Sequence, residues 1–123
     1  MGTWNTGNFD CDGAHDYLRD VFQKPLVDRI KSIIGDPVAV RLDEQGEDVL
    51  MPSIDLLALL YETYGGTLPE VATVRRWRDK YLAGYDGYVD QLSPSPGYKE
   101  ERRRVIGQAF ARLERASIQH HDA

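Results

Sequence analysis

The sequence predicts an all-α domain, a compact bundle of four to five helices, on three observations. Apolar residues recur at the three-and-four spacing of a helix face in several separate stretches. Proline and glycine punctuate those stretches, and no two segments alternate well enough to pair as strands. A chain of 123 residues, 41% hydrophobic and 28% charged, has the size and apolar content for one self-sufficient core. We therefore expect a single helical domain over 1–123, with a leader at 1–11 and a frayed tail at 118–123.

Ala14, Tyr17, Leu18, Val21 and Phe22 lie along one stripe and predict the first helix. Pro25 has no amide hydrogen, so the helix either kinks there or restarts with Pro25 in its first turn. Leu26, Val27, Ile30, Ile33 and Ile34 carry the next stripe, which Gly35-Asp36-Pro37 ends. The segment Val38-Ala39-Val40-Arg41-Leu42 alternates without a partner and reads as an extended connection. Ser53 is the expected cap of a helix running to Tyr64. That helix is apolar on nearly every side and should be the most buried, with Gly65-Gly66 as its left-handed end.

Thr67-Leu68-Pro69-Glu70 has the form of a capping box, predicting a helix start there. Val74, Tyr81, Leu82, Tyr85 and Val89 extend that helix, with a bend expected at Gly84 and Gly87. Ser93-Pro94-Ser95-Pro96-Gly97 is a linker. The last helix is expected from Tyr98 to Ser117, turning Val105, Ile106, Ala109, Phe110 and Leu113 inward, with His120 and His121 in a mobile, inert end.

The charge balance narrows the function. Net charge is −5, which argues against a sequence-independent grip on nucleic-acid phosphates. Residues 1–60 hold eleven acids and five bases, net −6, while residues 61–123 hold nine acids and ten bases, net +1. The first half is thus where a cationic partner would be drawn. A lone cysteine, Cys11, excludes an internal disulfide and a cysteine-built zinc site, and fits a reducing compartment. The start has neither a basic stretch nor an apolar run of signal length, and no segment approaches the ~20 apolar residues of a membrane helix. A cytoplasmic protein with no membrane partner is expected.

Two clusters could carry chemistry. Asp10, Asp12, His15 and Asp16 place three carboxylates and an imidazole within seven residues, a donor set suited to a hard divalent ion, although the spacing is not that of an EF-hand. Capping and solvation explain the same residues more simply. Arg75, Arg76, Arg78 and Lys80 around Trp77 form the best basic and aromatic mixture, which reads as a solvated helix face before it reads as a nucleic-acid surface. Arg102-Arg103-Arg104 is answered locally by Glu100 and Glu101. No nucleophile-elbow or phosphate-cradling sequence occurs.

The opening, Met1-Gly2-Thr3-Trp4-Asn5-Thr6-Gly7-Asn8-Phe9-Asp10-Cys11-Asp12 followed by Ala14-His15-Asp16-Tyr17, resembles domain-of-unknown-function family 4259. These are small bacterial proteins beginning Met-Gly-Thr-Trp-Gly-x-Gly-x-Phe-Asp-Asn-Asp. Leu50-Met51-Pro52-Ser53 and Gly97-Tyr98-Lys99-Glu100-Glu101-Arg102-Arg103 look like later blocks of its closer members. Asn5 stands where the family has glycine and Cys11 where it has asparagine. The resemblance implies a helical domain and brings no established activity.

Physical reasoning gives the opening a structural meaning of its own. Gly2 and Gly7 let the segment fold back and insert Trp4 and Phe9 against the first helix, each ring contributing up to about 4–6 kcal/mol. Asp10 or Asp12 then caps that helix, worth about 1 kcal/mol. These readings favour a non-catalytic module that binds another protein, of toxin-neutralising or regulatory type and without a cofactor. A metal-dependent hydrolase using the Asp/His cluster and a nucleic-acid binder using Arg75–Lys80 are the alternatives.

Overall fold

A computed structural model of the chain describes residues 6–122. They build four helical rods, and no strand occurs among them. The first rod joins α1 (Asp12–Tyr17), a π-helical turn (Leu18–Gln23) and α2 (Lys24–Ile34) without a gap. The second joins a π-helical turn (Gly46–Leu50) to α3 (Met51–Tyr64). The third is α4 (Val71–Tyr88), tightening into a 3-10 turn (Val89–Leu92), and the last is α5 (Tyr98–Asp122).

Each π turn ends two residues before a proline, and the hydrogen bonding explains why. The Lys24 amide donates to Arg19 O and the Met51 amide to Gly46 O, each spanning five residues instead of four. Stepping the pairing by one residue lets Pro25 and Pro52, which have no N–H, enter the first turn of α2 and α3 without breaking the rod. Pro25 thus lies in the first turn of α2, the place that a restart would give it. The second π turn also moves the start of its rod well ahead of Ser53, which is buried inside α3 and caps nothing.

The wide turn has a second effect, on phase. In an α-helix Leu18 and Phe22 share a face; in a π turn Leu18 shares its face with Gln23. Accordingly Leu18 and Gln23 are both 1% exposed, while Tyr17, Val21 and Phe22, expected on the buried stripe, stand 55%, 51% and 43% exposed.

The connection after α2 is not extended. Asp36 Oδ1 accepts the amides of Val38 and Ala39, and Val40 N–H bonds back to Asp36 O, so 37–44 coils into successive turns. Leu42 is buried at its end, and Gly46 lies so close to Val40 O and Arg41 O that a side chain there would strike backbone. The capping box does not form either. Residues 65–70 run outside any helix, α4 begins at Val71, and Glu70 at its N-cap makes no side-chain cap bond. α3 does end at Gly65-Gly66 with positive φ, 80° and 94°, but Gly65 has ψ −137° and so does not adopt the left-handed helical conformation expected there.

α5 packs against both α3 and α4, and α2 lies on α3. Ile30, Leu50, Ile54, Leu57, Ile106, Phe110 and Leu113 are fully enclosed between them, with Trp77, Tyr81 and Tyr85 from α4. Val105 stays 38% exposed, against expectation, because Ile106 and Phe110 take the inward face. α4 runs through Gly84 and Gly87 uninterrupted, the change to 3-10 geometry coming only at Val89. α3 is less enclosed than its composition suggests: Leu56 and Leu59 are each 48% exposed. It packs on α2 and α5 and leaves its outer face open.

Candidate functional site

The structure disperses the acidic cluster into local roles. Gly7 and Asp10 close a tight turn in which the Gly7 amide donates to Asp10 Oδ2 at 2.8 Å and the Asp10 amide to Gly7 O at 3.1 Å. The N-cap of α1 is Cys11, whose side chain makes no cap bond, so the cap expected from Asp10 or Asp12 falls elsewhere, Asp12 lying within the first turn. Asp16 pairs with Arg19 at 3.2 Å. Arg19 also binds Asp20, and that hydrogen bond holds the Asp20 carboxyl below its ordinary range. His15 is half-buried with its ring edge near Gly65. Among the described residues no three His, Cys, Asp or Glu side chains are grouped to hold a metal ion.

Of the leader, Gly2 and Trp4 lie outside the described residues. Phe9 packs away from the expected place: its ring stacks on Tyr64 at the end of α3, 4.1 Å between centroids and 24° between planes.

The arginines of α4 are committed within the fold. Arg75 Nε donates to Glu114 Oε1 at 2.7 Å and an Arg78 terminal nitrogen to Glu114 Oε2 at 3.2 Å, so both clamp one carboxylate of α5. Arg76 reaches Thr73 Oγ1, and Trp77 is buried. Arg103 holds Asp86 of α4, pulling its carboxyl below the usual range, while Arg104 pairs with Glu101 as the spacing suggested. Arg102 turns toward Glu47 at 3.5 Å. The pairs to Glu114, Asp86 and Glu47 join α5 to its neighbours and occupy Arg75, Arg78, Arg102 and Arg103, so these guanidiniums form no free row.

The terminal histidines are also engaged. His121 Nε2 lies 3.1 Å from Leu68 O and 3.0 Å from Pro69 O; two carbonyls can only accept, so that nitrogen carries a hydrogen. Ser117 Oγ donates to Pro69 O as well, and the His120 ring stands edge-on to Tyr61 at 5.3 Å. On the opposite side of the same segment, Gln23 donates to Gly65 O at 2.8 Å and accepts from Thr67 N–H at 3.1 Å. Segment 65–70 is thus held between the first rod and the end of α5, a linkage that no local pattern announces.

Two of the open surfaces among the described residues are largely apolar. Val21, Phe22, Pro25 and Leu26 of the first rod face Leu56 and Leu60 of α3 across an open groove of about 340 Å3, with Arg29 its one charged lining residue. Tyr17 extends it through an edge contact with Phe22 at 5.3 Å between centroids. On the other flank of α3 a second groove of about 430 Å3 is lined by Leu56 again, Val105 of α5, and the charged Glu47, Asp55 and Arg102. Leu56 therefore stands on a ridge between two hollows.

No family model, no curated protein and no solved structure matches this chain. No helix among the described residues is long and apolar enough to cross a membrane.

Proposed function

We propose that this chain is a non-catalytic protein-binding module that presents the groove between its first rod and α3 to another protein. The observation that carries this reading is the exposure of Val21, Phe22 and Leu56 side by side on rigid helices. Leaving such side chains in water forgoes about 25 cal/mol for each Å2 that burial would remove, and contiguous apolar patches on soluble proteins mark interaction surfaces. Helix-lined grooves of this kind receive amphipathic segments through a few apolar anchors. The acidic excess of the first half is not concentrated there, because Arg19 answers Asp16 and Asp20 and Arg29 lines the groove. Apolar anchoring then supplies affinity, and the surrounding charge steers approach.

A role in neutralising or regulating a cytoplasmic partner suits such a module, and membership of the family its opening resembles belongs to the same proposal. The test is capture from the native host with the wild-type chain and with Phe22→Glu. Phe22 is exposed, so the variant should melt within about 1 kcal/mol of wild type, yet it should lose the captured protein. Equal retention by a folded Phe22→Glu chain would overturn the reading.

A further inference from the structure

We infer that the partner seated on this surface is a second copy of the same chain, docked about a twofold axis that passes beside Leu56. The inference rests on the protein-binding reading above and adds the identity of the partner.

A twofold contact joins a patch to itself, so whatever lies on one side of the axis meets what lies on the other side of the partner's patch. The ridge at Leu56 has this antisymmetric character. On its first-rod flank the groove is apolar with one cation, Arg29, which makes no ion pair among the described residues. On its α5 flank the groove carries Glu47, Asp55 and Arg102, one acid in excess. Arg102 is turned toward Glu47, and Arg112, hydrogen-bonded to Glu62, also feels Asp55, so three acids stand against two cations and one acid stays in excess beside Asp55. Rotating one copy onto another about Leu56 brings the Arg29 flank of each over the Asp55 flank of its mate. Leu56 meets its own counterpart at the centre, and Phe22 approaches Val105.

The contact therefore has an apolar centre and two symmetry-related charge pairs at its rim, the arrangement that fixes orientation in protein interfaces. The residues that line both grooves stand on helices, so no loop has to be ordered on docking. The other occupant to consider is a foreign helix. It would need to match a cation on one side of the ridge and an acid on the other, a pattern this chain already displays.

The experiment is sedimentation velocity of the full chain from low micromolar to near-millimolar concentration. Wild type should pass from monomer to twice its mass. Leu56→Asp should weaken association by about tenfold or more, since it sets two carboxylates against each other at the axis. Circular dichroism should show it folded, because Leu56 is half exposed. Arg29→Asp and Asp55→Arg should each weaken association, and the double variant should recover it, because the swap restores both pairs across the axis. Failure of the double variant to recover would overturn the twofold arrangement. A wild type that stays monomeric throughout would overturn the second copy. If Leu56→Asp and Phe22→Glu nevertheless abolish capture of a foreign protein, the binding reading stands while this inference falls; if neither alters capture or association, both fall.

Discussion

The side-chain amide of Gln23 is 1% exposed and joins parts of the chain more than forty residues apart, through Gly65 O and Thr67 N–H. A buried polar group is tolerated when both ends are satisfied, and removing it strands the partners. Gln23→Ala should therefore cost about 2–3 kcal/mol in chemical denaturation, well above a typical surface change. Gly66 has a matching constraint, since it sits at φ 94° and any Cβ would run into that amide. Nothing in the residues around Gln23 marks it out. It follows an apolar stripe at a position that an α-helical count assigns to the side of the rod, and its partners are distant in sequence. Thr67-Leu68-Pro69-Glu70, by contrast, carries a strong local signal that loses out: the Thr67 amide is already taken by Gln23, and the helix begins only after Glu70.

At the scale of elements, periodicity places every rod, because a helix packed on one side must repeat its apolar residues every three or four positions. Phase is harder to read. The pattern at Leu18, Val21 and Phe22 is a sound helix signal that assigns the wrong face, since the signal assumes α geometry and the backbone departs from it before Pro25. The missed surface was nonetheless visible in outline: apolar residues on nearly every side of α3 exceed what one core can cover. Gly84 in α4 illustrates the opposite case, a residue whose signal pointed to a weak place in a helix that runs on through it. A Cβ at Gly84 meets nothing within 4 Å. Gly84→Ala should accordingly stabilise the chain by up to about 1 kcal/mol, read as a raised melting temperature. A lower melting temperature would mean that the helix needs the glycine for a reason its geometry does not display.

At the scale of the whole molecule, the end of α5 closes the bundle on segment 65–70, and His120 beside Tyr61 makes the stability of that end sensitive to pH. Burial first, and the neighbouring His121 second, hold the His120 pKa below its ordinary 6.5. The folded chain then binds this proton less readily than the unfolded chain, so stability is fully present above 6.5 and declines as pH falls from there toward the folded pKa. Carboxylates held low by Arg19, Arg103 and the Asp36 turn act separately, at pH below their ordinary 3.8. Melting curves should decline in the first window and decline less in His120→Phe; identical slopes would remove His120 from the account. Deleting residues 118–123 should also lower the melting temperature, because His121 loses Leu68 and Pro69. A frayed end would be dispensable.

Each π turn spends one residue more than an α-helix would on the same climb, so it behaves as a single-residue insertion. Straightening Leu18–Gln23 into α geometry with all its residues kept would turn everything upstream by about 100° relative to α2. Tyr17 and the residues before it would swing to a different side of the rod. The wide turn therefore decides which apolar side chains ahead of α2 meet water and which meet the core.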